Sequence, residues 1–582
     1  MVIGNYLVTL LRLIKTEMKF RYIYITIAFA FALSVNARNR TIAEMEDIAR
    51  LAMTHGNTSK AKAADGDLEL TLVDANRQLG IFSAKGRGFV IVNRNDQGRA
   101  ILAQSSNDYA PDMMPEAYKW WLETTIRNLE SGYTLTTDAD QLKSATTIDN
   151  FILTTWGQGA PYNAKCPTVT RKNGSGKAST GCVATALAQV MNHYRYPERG
   201  KGTGGYSVVN TTATKSDTLY YEESINNTYQ WDKLKTSYTI DETDTEPIST
   251  LLFDVGKATY MSYEANGSGA SLYWMVRGMA DNFSYDSLAI NYYDRSYFTD
   301  AEWYAMIRNE IEAGRPVAYA GLTSNSEGHA FLFTGIDTEG KVYVNWGWDG
   351  HYDGWFAIDQ LVPMQGNDFN IGHHMITGFN PQPSPSPEEE NTSLMYYDKE
   401  IYNFKVSSTG SDVKISPVAY YNISWRYFFG QYRLMIENED TGMCYTIPLP
   451  KLSIARNAAL SPYMGIKVIF NSGIKSIYKS ATGNDLPKGH YKVWMECKSD
   501  EASQWYKLRR ISDLTSYSYF SIDSNGTIKV SNTESTTSVK AARRNAASSP
   551  STVYTIKGIS VGTDFEVLPA GVYIKEGKTT MK

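Results

Sequence analysis

Apolar residues follow a helical period in two parts of the N-terminal region and form short strand-like runs between them. Residues 42–52 carry Ile, Met and Ala three or four positions apart, which predicts a helix. Residues 115–129 predict a second helix, with Pro115 suited to its first turn. Residues 88–92 and 100–103 are typical of strands. The pattern therefore predicts a compact α+β unit over residues 38–147, with no obvious catalytic group.

Polar and proline-rich stretches divide the rest of the chain. Residues 138–149 are polar and threonine-rich, which favours an exposed connection that a peptidase can cut. Proline, serine and glutamate dominate residues 381–393, the composition of a semi-rigid linker. Residues 491–495 alternate in the way typical of β-sandwich strands. We expect a leader at 1–37, α+β units at 38–147 and 148–380, a linker at 381–393, a β-sandwich-like domain at 394–534, a second linker at 535–552 and a tail at 553–582.

One strongly apolar run stands near the beginning of the chain. It covers residues 22–35, follows Lys19 and Arg21, and is shorter than the roughly 20 residues that span a bilayer. Small residues around Ala37 match a cleavage site, so we interpret residues 1–37 as a signal peptide and expect translation to start at Met18. The alternative is an uncleaved N-terminal anchor. With cleavage, the mature form has no membrane span and is secreted or held at the cell surface.

Composition excludes several classes of protein. The 582 residues include 57 Lys and Arg against 61 Asp and Glu, for a net charge of -4, and 42% are hydrophobic. A nucleic-acid-binding protein would carry a basic excess, and a disordered chain would be poor in apolar residues. Four cysteines are too few for a disulfide-built scaffold. Cys444 and Cys497 both lie in the C-terminal third, where the sequence leaves open whether they form a bridge.

The central unit has a cysteine at the start of an apolar helical segment. Positions 183, 186, 187, 190, 191 and 194 follow helical spacing, and Ser179 or Thr180 is expected to cap the helix. Cys182 then falls in the first turn, where free N–H groups and the helix dipole favour a thiolate and lower the thiol pKa. The alternative is a small buried cysteine, and this segment taken alone favours that alternative.

A histidine at a suitable separation changes this balance. His329 stands next to Gly328 at the beginning of an apolar strand, 147 residues after Cys182 (329 minus 182). The gap falls inside the roughly 130–150 residues that separate cysteine and histidine in papain-type enzymes. An imidazole can take and return the proton of a cysteine nucleophile. The alternative for His329 is a hydrogen-bonded histidine at a strand end.

Two further side chains fit supporting roles. Asn345 ends the next predicted strand, so its amide oxygen could accept a hydrogen bond from the imidazole, and Trp346 could shield that bond from water. Gln158 lies upstream of Cys182 and could join the Cys182 N–H as an oxyanion donor. A surface turn is the structural alternative for Gln158. The order Cys, His, Asn is a rarer coincidence than any of its members.

Four ordered blocks now bear a resemblance to a known family. The segments TTWGQGAPYN, STGCVATALAQVMNHYRYP, EGHAFLFTGID and VNWGWDGHYDGWFAI are similar to the signature blocks of the streptopain family, secreted bacterial cysteine peptidases of papain-like fold. The resemblance covers about residues 38–380, and GFVIVNRNDQGRAILAQSSND resembles the inhibitory prodomain of that family. It implies an α+β papain-like domain preceded by an α+β prodomain at 38–147.

The resemblance also implies roles for individual residues. Cys182 matches the nucleophile, His329 the base and Gln158 the oxyanion donor, while Asn345 and Trp346 match the residues that support the histidine. Positions that line the substrate correspond more loosely to Gly328, Ser271 and Ser268. No cofactor or metal is implied. The expected partners are protein or peptide substrates and the chain's own prodomain acting as an intramolecular inhibitor, in a monomer that binds no nucleic acid.

The chain also departs from relatives of the papain fold. The CGSCW signature of plant and lysosomal papains is missing, and Gln158 lies 24 residues before the cysteine (182 minus 158), with Cys166 in the intervening loop. We interpret Cys166 as structural or incidental. The segment LPAGVYIKEGKTTMK resembles a secretion-sorting tail of Bacteroidetes.

Other functions remain as alternatives. A catalytically inactive surface adhesin on a papain-like scaffold would bind a ligand through its β-rich domain, and a transglutaminase or amidase would use the same two side chains. The pair at 373 and 374, two adjacent histidines, suggests no metal site, because neighbouring side chains on a strand point in opposite directions. No glycine-rich phosphate loop links a strand to a helix, so nucleotide chemistry is not expected.

Overall fold

The computed structural model describes most of the first two predicted units and much of the third. The described ranges are 38–55, 68–96, 98–130, 142–322, 328–358, 373–381, 394–396, 405–416, 418–422, 424–454, 466–500, 505–508, 517–531, 553–555, 560–562, 572–575 and 578–581. The predicted signal peptide, residues 138–141 of the predicted processing stretch and the predicted linkers apart from residue 381 lie outside these ranges. We call 38–130 the N-terminal segment, 142–381 the central segment and 394–531 the C-terminal segment.

Seven α-helices occur within the described ranges. They are α1 (Ile42–His55), α2 (Glu116–Glu130), α3 (Cys182–Tyr194), α4 (Glu246–Ala258), α5 (Leu272–Asp281), α6 (Asp300–Glu312) and α7 (Ile474–Thr482). Both helices predicted from periodicity in the N-terminal segment are confirmed as α1 and α2. None of the seven has the length and apolar character needed to cross a membrane.

Strands make up most of the remaining regular structure. Those of the N-terminal segment are β1 (Thr71–Ala75), β2 (Leu79–Ala84), β3 (Gly88–Asn93) and β4 (Ile101–Ser105). Those of the central segment are β5 (Thr168–Arg171), β6 (Gly174–Lys177), β7 (Thr203–Thr211), β8 (Ser216–Ser224), β9 (Ser262–Tyr263), β10 (Asn291–Asp294), β11 (Val317–Leu322), β12 (Gly328–Ile336), β13 (Val342–Asn345), β14 (Gly354–Phe356) and β15 (His374–Thr377). Both predicted strands of the N-terminal segment are confirmed as β3 and β4.

The strands after residue 390 follow in the same order. They are β16 (Leu394–Tyr396), β17 (Val406–Ser408), β18 (Val413–Ile415), β19 (Val418–Asn422), β20 (Phe428–Asn438), β21 (Met443–Pro448), β22 (Leu452–Ile454), β23 (Ile466–Val468), β24 (Gly489–Ser499), β25 (Tyr506–Lys507), β26 (Ser518–Ile522), β27 (Ile528–Ser531), β28 (Val553–Thr555), β29 (Ser560–Gly562), β30 (Val572–Lys575) and β31 (Lys578–Met581).

A single antiparallel sheet unites the N-terminal and central segments. Its ten strands run in the order β1-β2-β3-β4-β14-β13-β12-β11-β15-β10. The two segments meet where β4 pairs with β14, with Gln104 opposite Trp355 and Ala103 opposite Phe356. The N-terminal segment is therefore attached by main-chain hydrogen bonds to the same sheet that carries His329.

Different helices cover the two faces of this sheet. On one face, Ala330 and Leu332 of β12 pack in the core that contains α3. On the other face, Phe331 and Phe333 pack with aromatic residues of α2 and α6. Because side chains alternate along a strand, the even-numbered and odd-numbered positions from 330 to 333 belong to separate cores. After the irregularity between Phe333 and Gly335, Ile336 packs with the odd-numbered residues.

The C-terminal segment has a core of its own. Its largest sheet runs β21-β20-β24-β26-β27, with β22 beside β20 and β25 beside β24, and smaller sheets are formed by β16-β19-β23 and β17-β18. Residues of β18, β19 and α7 share one buried cluster with residues of β20 and β24. The expected class, an α+β protein with a β-rich, sandwich-like C-terminal part, is confirmed.

The two cysteines of the C-terminal segment are not bridged. Cys444 is exposed on β21 and Cys497 is buried on β24, and both thiols are free. Strand β20 lies between their strands in the sheet. The question that the sequence left open is thus answered by the strand order.

Candidate active site

Cys182 is the first residue of α3, the buried helix that packs against β12. The predicted helical position of this cysteine is confirmed. The predicted caps are wrong, because Gly181 is the N-cap residue, with φ +87, and it offers no side-chain cap. The Thr180 hydroxyl instead shares a 3.0 Å hydrogen bond with that of Thr185. A side chain at 181 would meet Met261 Sδ at 2.7 Å, so close packing as well as the positive φ requires glycine there.

The thiol of Cys182 lies against the strand that bears His329. The N–H of Ala330, the next residue after His329, donates to Cys182 Sγ at 3.4 Å. Loss of contact with water raises the pKa of the Cys182 thiol, and hydrogen bonds from the N–H groups of Ala330, Val183 and Cys182 oppose that rise. The expected lowering of this pKa is therefore wrong for the chain with its N-terminal segment in place, because desolvation outweighs the helix terminus.

His329 lies on the opposite face of the sheet from Ala330. It pairs with Gly321 across β11 and β12, and paired residues direct their side chains to the same face. A methyl group on Gly321 would overlap the indole of Trp120, a residue of α2 in the N-terminal segment. The face that carries His329 is thus the face on which α2 packs, while Cys182 contacts the strand from the other side.

Gln158 lies close to the residues that precede the nucleophile. Its backbone carbonyl accepts a 3.0 Å hydrogen bond from the N–H of Thr180. Its side-chain Nε2 donates to the carbonyl of Gly347 over 3.4 Å, a long and weak contact. The oxyanion role of Gln158 stays a prediction, since its amide donates to the protein itself in this structure.

Asn345 ends β13, as predicted, and its side chain is almost fully buried. Its Oδ1 accepts from Gln189 Nε2 at 3.0 Å and from the N–H of Gly347 at 3.0 Å. Its Nδ2 donates to the carbonyl of Thr154 at 2.8 Å and to Gln189 Oε1 at 3.2 Å. The predicted bond from the His329 imidazole would have to share Asn345 Oδ1 with these donors, and that role stays a prediction.

Trp346 is a buried aromatic residue between two parts of the sheet. Its ring centroid lies 4.8 Å from that of Phe331 and 5.1 Å from that of Phe356. The backbone N–H of Trp346 donates to Asp353 Oδ1 at 2.8 Å. Burial raises the pKa of Asp353 to about 7, against the effect of this hydrogen bond.

The candidate substrate-lining residues fall at different distances from the cysteine turn. Ser268 is buried, and its N–H donates to Ser179 Oγ at 3.2 Å, three residues before Cys182. Ser271 is exposed and caps α5, accepting from the N–H of Tyr273 at 3.2 Å. Gly328 is exposed at the first position of β12. Their substrate-binding roles stay predictions, and Ser268 is tied directly to the segment that holds the nucleophile.

Gln189 is the functional candidate that sequence reasoning missed. It lies two helical turns after Cys182 on α3, fully buried, and its Oε1 also accepts from Thr154 Oγ1 at 2.9 Å. It thereby connects the cysteine helix to Asn345 and to the segment that leads to Gln158. The available signal was a glutamine in the middle of an apolar helix, where a buried amide needs partners.

The two adjacent histidines bind tyrosines. His373 Nδ1 lies 2.9 Å from the Tyr319 hydroxyl, and His374 Nδ1 lies 2.8 Å from the Tyr292 hydroxyl. In the part of the chain that the structure describes, His, Cys, Asp and Glu side chains form no group suited to a metal ion.

The fold and the site define a cysteine peptidase of papain-like architecture, with the cysteine on a buried helix and the histidine on the adjacent sheet. Residues 156–356 match the model of the peptidase C10 family. The chain belongs to this family.

Curated relatives agree with the assignment. The chain is 30% identical over 316 residues to the thiol protease/hemagglutinin PrtT of Porphyromonas gingivalis, covering 50% of this chain and 34% of PrtT. It is 28% identical over 352 residues to streptopain of Streptococcus pyogenes, covering 56% of this chain and 86% of streptopain. The chain thus spans about a third of the length of PrtT and most of streptopain.

Two structures from Prevotella intermedia are also similar. A prointerpain A fragment is 29% identical, with a TM-score of 0.47, over 55% of this chain and 100% of the fragment. Active interpain A cysteine protease is 33% identical, with a TM-score of 0.35, over 40% of this chain and 96% of that one.

Proposed function

We propose that this chain is an exported cysteine endopeptidase, made as a zymogen, that hydrolyses peptide bonds through Cys182 and His329. The observation that carries the proposal is the position of Cys182 Sγ, which lies 3.4 Å from the N–H of the residue that follows His329. The cysteine therefore lies at the strand that bears the base, at the first turn of a buried helix. The apolar run at 22–35, with its basic flank, supports export.

The reaction follows from these groups. The Cys182 thiolate attacks the scissile carbonyl carbon, and the resulting oxyanion is bound by the Cys182 N–H and by Nε2 of Gln158. The imidazolium of His329 gives its proton to the leaving amine, so that the C–N bond breaks and a thioester remains. Water then loses a proton to His329 and attacks the thioester, which releases the acid and regenerates the thiolate.

Gln158 can take up this role at little cost. Its present contact with the Gly347 carbonyl is 3.4 Å long, so a strong bond need not be broken when the amide turns to an oxyanion. Asn345, already fixed by Gln189, then supports the hairpin that carries the imidazole. No cofactor takes part in the proposed steps.

We assign residues 38–147 as the prodomain that keeps the enzyme inactive. Main-chain pairing of β4 with β14 supports this assignment, and so does the hydrogen bond from Ser105 Oγ to the carbonyl of Asp353 at 2.6 Å. Trp120 fills the space over Gly321, the partner of His329. In the proposed mechanism, removal of the prodomain withdraws Trp120 and allows the beginning of β12 to bring the imidazole to the cysteine.

The test uses the full chain and its Cys182→Ala variant. The unsubstituted chain should hydrolyse casein, lose its N-terminal segment near residues 138–150 and react at Cys182 with a peptidyl epoxide. Cys182→Ala should do none of these, whereas Cys166→Ala, which removes a buried cysteine of the same segment, should retain activity. Normal maturation of Cys182→Ala, or a folded chain whose Cys182 never reacts, would contradict the proposal and favour an inactive binding protein.

A further inference from the structure

Trp425 and Arg426 lie in the loop between β19 and β20 of the C-terminal segment, and this loop packs against the central segment. Trp425 is 5% exposed and belongs to the buried cluster of the central segment, together with Ile290. Its indole Nε1 donates to the Ile290 carbonyl at 2.9 Å. This tryptophan therefore packs in the core of another segment, with its polar atom satisfied there.

Arg426 extends the same contact. Its Nη1 donates to the carbonyls of Ser287 at 2.7 Å and Leu288 at 3.0 Å, and its Nη2 donates to Asn291 Oδ1 at 2.7 Å. The guanidinium carbon also lies 5.5 Å from the ring of Trp425. Buried aromatic residues and arginines with several hydrogen bonds are the side chains that most often dominate the affinity of an interface.

The loop is held in shape by its own segment. Asn422 is fully buried, and its Nδ2 donates to the Arg426 carbonyl at 2.6 Å while its Oδ1 accepts from the N–H of Ser424 at 2.9 Å. Ser424 Oγ in turn accepts from the N–H of Arg426 at 3.1 Å. A loop that is already ordered loses little conformational freedom on docking, which favours tight binding.

The docking position lies at the end of the ten-stranded sheet. Strand β10 is the last strand in the sheet order, at the opposite end from β1, and Ile290 directly precedes it. An edge strand exposes main-chain groups that have no partner strand, and proteins commonly cover such an edge with a loop or helix. Here the loop donates hydrogen bonds to three carbonyls in the residues just before β10. The N-terminal segment pairs with β14, away from β10 in the sheet order, so its removal breaks none of the hydrogen bonds that Trp425 and Arg426 make.

We propose that the C-terminal segment is a permanently docked partner of the central segment, which stays bound after the chain between residues 382 and 393 is cut. Trp425 and Arg426 supply the affinity, and Asn422 presents them. The working form of the protein is then a central segment with its C-terminal segment attached, whether or not the linker is continuous. This inference does not depend on peptidase activity.

The experiment uses the full chain with Cys182→Ala, so that it does not digest itself, and with a site-specific protease sequence placed within residues 383–392. After cutting, the chain that keeps Trp425 and Arg426 should elute from gel filtration as one species of the size of the uncut chain. Trp425→Ala should weaken the association at least about 100-fold and separate the fragments, and Arg426→Ala should weaken it about 10-fold. Phe429→Ala, a change of an exposed aromatic residue on neighbouring β20, should leave it unchanged.

Several results would overturn the proposal. One is separation of the cut fragments with the natural loop, and another is full retention of binding in both Trp425→Ala and Arg426→Ala. Circular dichroism of each cut variant checks that the β-rich segment is folded. Arg426→Ala keeps the test decisive if Trp425→Ala unfolds, because the Arg426 guanidinium is partly exposed and its loss leaves the core intact.

Discussion

Gln189 and Asn345 exchange two hydrogen bonds through their side-chain amides. Nε2 of Gln189 donates to Oδ1 of Asn345 at 3.0 Å, and Nδ2 of Asn345 donates back to Oε1 of Gln189 at 3.2 Å. The pair joins the cysteine helix to the hairpin of His329, over 156 residues of sequence. Both amides are buried, so the loss of either partner removes two hydrogen bonds from the other, which keeps only the bonds to its remaining neighbours.

Gln189→Met tests this pair, because it keeps most of the volume and removes the amide. The free energy of unfolding should fall by about 1–3 kcal/mol, the cost of a buried polar group that loses its partner. In the matured enzyme, kcat should fall about 10-fold with KM little changed, since the hairpin that carries the base is displaced. Urea unfolding in the Cys182→Ala background and steady-state kinetics measure the two effects.

Gln230→Met serves as the control, because Gln230 is exposed in the same segment. It should alter neither quantity. If Gln189→Met likewise leaves both stability and kcat unchanged, the pair does not position the active site.

Gly321→Ala should speed maturation. The added methyl would overlap the Trp120 indole, which is present only while the N-terminal segment is attached. The clash destabilises the precursor selectively, so the full-length band should disappear several-fold faster on a time-course gel. Combination with Trp120→Ala should remove the clash, and the matured Gly321→Ala enzyme should keep its kcat/KM within about threefold. A precursor that matures at the ordinary rate would argue against Trp120 as the group that covers this face.

The reactivity of Cys182 should depend on pH differently before and after maturation. In the precursor, burial raises the pKa of this thiol, so alkylation should have its midpoint above that of free cysteine in the same buffer. After residues 38–147 leave, an imidazolium beside the sulfur should move the midpoint downward. Peptide mapping by mass spectrometry separates Cys182 from the exposed Cys444. A midpoint that is equal in both forms would contradict the proposed activation.

Asp353 should make the precursor less stable as pH rises from about 4 to 7. Its pKa is raised from 3.8 to about 7, so in this interval the folded chain keeps a proton that the unfolded chain has lost. Ionisation then costs stability progressively, up to about 4 kcal/mol, and the loss levels off above pH 7. Asp353→Asn should remove this pH dependence. Its free energy of unfolding, relative to that of the chain that keeps Asp353, should therefore be higher at pH 8 than at pH 5. Denaturant unfolding in the Cys182→Ala background measures the difference. A gain of the same size at both pH values would show that Asp353 does not titrate in this range.

The periodicity of the sequence was enough to locate the elements that hold the site. The helix from Cys182 and the strand from Gly328 follow from local spacing, because a helix or a strand repeats its pattern within a few residues. The choice of Cys182 and His329 rests equally on their order and separation. Their surroundings were less predictable: the expected caps at Ser179 and Thr180 are replaced by Gly181, where a side chain would collide with Met261 and Ser268.

By itself, the sequence determined the α+β class, through patterns that repeat within a few residues, and the cysteine and histidine candidates, through their local context, order and separation. Only the tertiary structure decided that burial raises the pKa of Cys182, against the hydrogen bonds that nearby N–H groups donate to its sulfur. It also decided that His329 and Trp120 lie on the same face of the sheet and that Gln189 binds Asn345. It likewise decided that Trp425 of the C-terminal segment packs in the core of the central segment. These relationships join residues more than a hundred positions apart. No local pattern can specify them, because they depend on which faces of distant elements meet when the chain packs.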